Sequence, residues 1–283
     1  MTRFALITLF SLAALLLFFP CAAEEAEDEL LIEEIVEYVD LDAPSGADAL
    51  WHFEIPLEDL DPDLIRLANK HYLLEKDFVP DDLVTVKTRN DDGANGGVLK
   101  ASGSKMQLQR VCAEALHAMS EAALADGHRL YLKSAYRSWQ TQNTMYYNRL
   151  KRNNGVDDGW VNKPGSSDHQ TGLGCDVVPR SWRDKSMNEK MASAEECQWM
   201  AEHCQEYGFI LRYPADKEDL TEINYEPWHM RYVGNPAATY IMEHNLCLEE
   251  FTMEVQQAIR DYLDLGGDPA LVEAFLQSPS EEE

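Results

Sequence analysis

The chain has 283 residues, enough for a core that stands without disulfide staples, and its 45% hydrophobic and 27% charged content excludes collagen-like, coiled-coil and wholly disordered classes. Acidic residues outnumber basic ones 51 to 24, a net charge of −27, which excludes sequence-independent nucleic-acid binding because that needs a basic surface. The charge sits at the ends: Glu24–Asp63 holds sixteen acids and no base, Glu249–Glu283 ten acids and only Arg260, and the stretch between is close to neutral.

Met1-Thr2-Arg3 is a short basic start, followed by the uncharged apolar run Phe4–Phe19, which is short for a membrane span of ~20 residues. Small residues then stand before Glu24, so residues 1–23 read as a secretory signal peptide ending near Ala23. Bulky Phe18, Phe19 and Pro20 argue against lipid attachment at Cys21. Export to the cell wall, periplasm or medium is the expectation, with the N-terminal segment the one candidate for membrane attachment.

Residues 24–63 form an acidic arm or tether that also carries Trp51, Phe53 and Ile55; residues 64–255 read as one domain, and 256–283 as a helix end with an acidic tail. Asn90–Gly97 is a dense turn signal. Next comes an amphipathic helix with Leu108, Val111, Cys112, Ala115, Leu116, Met119 and Ala123 on one stripe and Gly127 as its stop. Alternation over Arg129–Ala135 predicts a strand, and Ser138 to about Arg152 a second helix. Ser193-Ala194-Glu195-Glu196 has the pattern of a capping box, opening a helix that stops at Gly208 before a short strand, Phe209–Tyr213. Asn235-Pro236 opens another helix, and Leu248 to about Leu265 is the last. Helices and short strands without a βαβ rhythm predict an α+β fold with an antiparallel sheet.

Signal cleavage leaves Cys112, Cys175, Cys197, Cys204 and Cys247, an odd number, so at least one thiol stays free or pairs between chains. Cys197 and Cys204 lie two helical turns apart, ~10 Å, too far to bridge each other. No Cys-x-x-Cys occurs, which argues against a zinc ribbon or a thioredoxin-like site.

Chemistry concentrates in three segments. In Ser167–Asp176, His169 and Asp176 stand seven apart across Gly172 and Gly174. An odd separation on an unbroken strand puts two residues on opposite faces, so a turn has to fold the chain for these two to converge. Glu226-Pro227-Trp228-His229 adds a carboxylate and a second histidine. A catalytic zinc takes three protein ligands and needs a neighbouring carboxylate to handle a proton. His169, Asp176 and His229 supply the ligands and Glu226 the base. Ser134–Gln142 closes a strand and opens a helix, where Arg137 can reach a substrate carbonyl. Taken singly, each segment is weak: a lone arginine is usually a solvated charge, and a lone histidine a core or surface residue.

In this order the segments resemble VanY-type D-alanyl-D-alanine carboxypeptidases, zinc peptidases of bacterial cell walls related to the Hedgehog amino-terminal domain. The family patterns S-G-Y-R-S-x-x-x-Q, S-x-H-x-x-G-x-A-x-D and E-P-W-H-x-R-Y-V-G stand here at Ser134–Gln142, Ser167–Asp176 and Glu226–Gly234, within a similarity over roughly Leu67–Phe251. The resemblance implies a Hedgehog/DD-peptidase-like α+β fold, a small antiparallel sheet with flanking helices. It implies one zinc ion held by His169, Asp176 and His229, with Glu226 as general base and acid, Arg137 as carbonyl clamp, and Ser167 and Gln142 near the substrate. Departures are Gly174 for the usual Ala, Cys175 for an aliphatic residue, and Ala135 for the frequent Gly.

The expectation is an exported, monomeric zinc carboxypeptidase that trims the terminal D-alanine of peptidoglycan stem peptides and binds no nucleic acid. An L,D-carboxypeptidase acting on tetrapeptide stems, and a non-catalytic zinc-stabilised wall-binding module, are the alternatives. Retention of Glu226 and Arg137, neither needed to hold a metal, argues against the last.

Overall fold

The structure is a computed structural model describing residues 4–6, 38–40, 49–89, 98–100, 105–276 and 280. The expected cleavage point, Cys21, most of the acidic arm, the 90–97 turn and the acidic end 281–283 lie outside the described residues. The chain divides into two units, Met1–Leu50 and Trp51–Glu283. In the first, strands β1 (Phe4–Leu6) and β2 (Tyr38–Asp40) pair antiparallel. All the chemistry lies in the second.

Its centre is a six-stranded sheet of β4 (Thr88–Arg89), β5 (Val98–Lys100), β7 (Leu130–Ser134), β8 (Gly174–Pro179), β10 (His229–Tyr232) and β9 (Phe209–Leu211), in that spatial order. From β7 to β9 all pairs are antiparallel, as the composition of short strands predicts. The first two strands join in parallel, so the complete sheet is mixed. β3 (Leu83–Thr85) and β6 (Gln107–Gln109) form a separate antiparallel pair. The central strands have both faces covered: every residue of β8 is buried, as are Leu130, Tyr131 and Leu132 of β7.

Helix α1 (Arg110–Ala125) packs on the sheet through Cys112, Leu116, Met119 and Ala123, all fully buried at the period of one helical stripe. Leu108 belongs instead to β6, and Val111 is exposed, so the buried stripe is narrower than the apolar pattern suggests. Ser138 caps α2 (Trp139–Arg152) by accepting from the Thr141 N–H. α3 (Asp168–Thr171) is a single turn that ends at Gly172, whose φ of 70° starts the chain into β8.

The capping box expected at Ser193 does not form. α4 (Glu195–His203) begins after Ala194 with no side-chain cap, and the Ser193 hydroxyl donates to the Lys190 carbonyl in the preceding 3-10 turn. Gly208, at φ 76°, closes the 3-10 continuation of α4 and leads into β9. After α5 (Glu218–Thr221) and β10 come α6 (Asn235–Glu243), with Pro236 in its first turn, α7 (Leu248–Asp264) and α8 (Pro269–Val272).

α7 runs through the expected boundary at 255/256 and buries Phe251, Val255, Ile259 and Tyr262. Trp51, Ile55 and Leu60, from the segment assigned to the acidic arm, lie buried within this second unit, the Trp51 ring edge-on to Tyr262. All five described cysteines are buried free thiols.

Candidate metal centre and its cavity

Strand register brings the candidate ligands into a row. Across β7, β8 and β10, Ser134 stands opposite Asp176, and Asp176 opposite His229. An irregularity between Leu132 and Ser134 re-aims the end of β7 there, as bulges beside functional sites commonly do. His169 reaches the same place from α3, because the helical turn and the left-handed Gly172 fold the chain back before β8 starts. This is the turn that the odd spacing of His169 and Asp176 requires.

The three side chains converge with their donor atoms all within 4.8 Å of one another. His169 Nε2 lies 3.4 Å and His229 Nδ1 3.1 Å from Asp176 Oδ1. His169 Nδ1 lies 2.7 Å from the Ala135 carbonyl and donates to it, which turns the Nε2 lone pair toward the centre. Burial and then the Arg137 charge hold the His169 imidazolium below its ordinary pKa, leaving the ring neutral as a ligand must be. Burial pulls the Asp176 carboxyl up, but the two histidines outweigh it and keep the group well below the usual carboxylate range. Two neutral imidazoles and one carboxylate, buried and convergent, fit a tetrahedral zinc with one open position.

Glu226 sits beside this group, Oε2 3.6 Å from His229 Nδ1. Pro227 keeps the segment out of the ladder: the Glu226 N–H donates to the Tyr213 carbonyl, the His229 N–H to the Glu226 carbonyl, and β10 starts only at His229. Burial, and next the negative Asp176, push the Glu226 carboxyl well above its ordinary pKa against the opposing pull of Arg137.

Arg137 follows β7 and lies largely buried. Its backbone N–H donates to the His169 carbonyl, Nη1 to Gln142 Oε1 at 2.7 Å and Nη2 to Ser134 Oγ at 3.3 Å, and Nη2 stands 4.0 Å from Asp176. Gln142 in turn donates to the Asn162 carbonyl at 2.5 Å. Both ends of the Gln142 amide are therefore engaged by protein, which makes it a holder of Arg137. Ser167 is buried and lines the cavity next to His169.

All seven residues singled out in the sequence border one cavity of about 370 Å³. Its remaining wall comprises Met145 and Arg149 of α2, the Trp160–Asn162 loop, Met187, Asn188 and Trp228. The Trp160 and Trp228 rings stack with centroids 6.2 Å apart. No spacing rule points to these loop residues; the aromatic and methionine content of 145–187 is their one signal.

Beneath the centre lies a charge network that sequence reasoning missed. Asp168, next to His169, accepts from Arg212 Nε at 2.7 Å and from Arg231 Nη1, and Arg212 makes two 2.7 Å bonds to Glu249 of α7. Arg231 also donates to the carbonyls of Leu64 and Arg66. Asp168, Arg212 and Arg231 are fully buried, so each needs the others to offset its desolvation. The Arg212 guanidinium also lies over the Tyr213 ring, which packs 5.0 Å from the His229 ring, so the network braces the ligand side chains.

Residues 105–235 match the family model described as D-alanyl-D-alanine carboxypeptidase (VanY). The putative carboxypeptidase YodJ of Bacillus subtilis (strain 168) is 36% identical over 196 residues, 69% of this chain and 68% of that protein. Among solved structures, the LdcB LD-carboxypeptidase superposes with a TM-score of 0.60 at 36% identity, covering 67% of this chain and 86% of that one. A VanY D,D-pentapeptidase from a VanB-type vancomycin resistance cassette, in complex with Zn(II), gives 0.53 at 27% identity, covering 67% and 98%.

Proposed function

The chain belongs to the VanY family of D-alanyl-D-alanine carboxypeptidases, and from that premise we propose that it removes the terminal D-alanine of peptidoglycan stem peptides, with one zinc ion as cofactor. The observation that carries the reading is the convergence of His169, Asp176 and His229 on one point of a cavity that Glu226 and Arg137 also face. A metal that merely stabilised the fold would need neither of the last two.

His169, Asp176 and His229 hold the zinc, which when bound supplies a Lewis acid beside the scissile carbonyl and makes water acidic enough to attack near neutral pH. Glu226 takes the proton of the attacking water and passes it to the leaving amine. Its raised pKa suits both directions of transfer, since a carboxyl nearer neutrality gives up its proton less reluctantly than it would accept one at pH 4. Arg137 donates to the carbonyl oxygen as negative charge builds there, and Gln142 and Ser134 hold its guanidinium in place beforehand. Glu226→Ala is expected to keep zinc and lose turnover, measured as D-alanine released; cleavage at the parental rate by that variant refutes the mechanism.

A second reading is L,D-carboxypeptidase activity on tetrapeptide stems, favoured by the likeness to LdcB. Incubating the protein with a pentapeptide and a tetrapeptide stem and weighing the products separates the two. We further propose that residues 1–23 direct export and that the protein works as a monomer at the wall, every group of the centre coming from one chain. Among the described residues no helix is long and apolar enough to cross a membrane. A mature N-terminus at Glu24 is the expected mass-spectrometric result, and an intact Met1 in the secreted fraction contradicts it.

A further inference from the structure

We propose that Arg149 reads a free carboxylate on the acyl side of the scissile bond, about three residues before it in the stem peptide. The inference rests on the peptidase reading above and assigns the far end of the same cavity. Gln142, Met145 and Arg149 stand at i, i+3 and i+7 on α2, and all three line the cavity. At 1.5 Å per residue, Arg149 lies ~10 Å along the helix from Gln142. Gln142 holds Arg137, and Arg137 marks the scissile carbonyl.

Distance decides which anion Arg149 can meet. The terminal carboxylate of the substrate is one residue beyond the scissile carbonyl, and an extended residue spans only ~3.5 Å. It stays near Arg137. Ten ångströms correspond to about three residues on the other side of the bond. There, a γ-linked glutamyl residue of a stem peptide leaves its α-carboxylate free.

Arg149 is built as a donor and is not a loose surface charge. Asp158 takes its Nε edge at 3.0 and 2.9 Å and its Nη2 at 2.5 Å, which fixes the plane of the guanidinium. Nη1 bonds no group among the described residues. Asn224 anchors the pair from behind, donating to the Asp158 carbonyl at 2.7 Å and, through its backbone N–H, to that of Gly159 at 3.0 Å. Arg137 and Arg149 are the two cations among the described residues lining the cavity, and Met145 and Trp160 flank Arg149 with apolar surface. A charge-assisted bond made there loses less to water than one on an open surface.

The test compares two synthetic D-alanine-terminated stem peptides that differ only in whether the acyl-side α-carboxylate is free or amidated, using the zinc-loaded full chain and measuring D-alanine release. The expected result is a kcat/KM about tenfold higher for the free acid, expressed mainly in KM, the size of one charge-assisted hydrogen bond. In Arg149→Gln the ratio should fall to about one. Asp158→Asn keeps the guanidinium but loosens its anchor, and should give an intermediate ratio with its fold checked by circular dichroism. Equal hydrolysis of both peptides by the parent, or a tenfold ratio retained in Arg149→Gln, overturns the assignment while leaving the peptidase reading intact. Release of D-alanine from neither peptide refutes both.

Discussion

Asp176 and His229 face each other across adjacent antiparallel strands, with His229 Nδ1 3.1 Å from Asp176 Oδ1, so the register of β8 against β10 sets the spacing of two metal donors. Asp176 is also the donor nearest His169, which places it at the middle of the set. Asp176→Ala should therefore lower zinc content after dialysis from about one ion per chain to near zero. Parental protein should melt several degrees higher with zinc than after chelation, because an ion that binds only the folded state stabilises it. Full zinc retention by the alanine variant would remove Asp176 from the ligand set.

Asp168 carries a structural rather than a chemical burden. It is fully buried between Arg212 and Arg231, and its loss leaves two buried guanidinium groups with one carboxylate, Glu249, between them. Breaking a buried pair on one side typically costs about 3–5 kcal/mol. Asp168→Asn should lose stability of that order in urea unfolding. Zinc affinity should fall with it, since the next residue is His169.

The same carboxylate predicts how stability responds to acid. Burial acts to raise its pKa, but Arg212 and Arg231 outweigh burial and hold it below the ordinary value. A carboxyl with a depressed folded pKa binds fewer protons folded than unfolded. Its contribution is therefore complete above the unfolded value of ~3.9 and is lost as pH falls through the folded one. Unfolding free energy measured from pH 6 down to pH 3 should decline in the parent below about pH 4. In Asp168→Asn the decline over that window should be shallower, and equal slopes would mean that other carboxylates dominate.

The ligands and the base were legible in the sequence because two short segments hold all four, each anchored by residues with restricted backbones, Gly172 in one and Pro227 in the other. The helices were legible too, since α1, α2 and α7 keep the 3.6-residue period of buried faces. What the chain does not display locally is pairing between distant segments. Arg212 and Arg231 look like surface charges until Asp168 and Glu249 are brought to them. Val111 fits the apolar stripe of α1 by spacing, but the helix buries a narrower face and leaves it in solvent. At Ser193 the capping pattern is present, and a 3-10 turn claims the hydroxyl first. The mixed part of the sheet escaped notice because β4 and β5 are only two and three residues long.

Gln142 was expected near the substrate, and it lines the cavity, but its amide is committed at both ends to Arg137 and Asn162. Gln142→Ala should consequently act through Arg137. The expected result is a drop in kcat of about 10- to 100-fold, in the range for a weakened oxyanion donor, with zinc content unchanged and a smaller change in KM. A raised KM at constant kcat would instead show that Gln142 binds the substrate directly.

Gly174 is a departure from the family pattern that the structure explains. A Cβ built there would lie 2.9 Å from both the backbone carbon and the Cβ of Asp168, closer than side-chain carbons tolerate. Glycine thus lets the α3 turn lie directly against β8, the contact that fixes His169 relative to Asp176. Restoring the family's alanine should force the turn outward, and Asp168 cannot yield easily because Arg212 and Arg231 hold it. Gly174→Ala is expected to cost about 1–3 kcal/mol, the range for overpacking a closed core. It should also weaken zinc binding, because the displaced turn carries a ligand. If the variant melts at the parental temperature with parental zinc affinity, the close approach of α3 to β8 is not what positions His169.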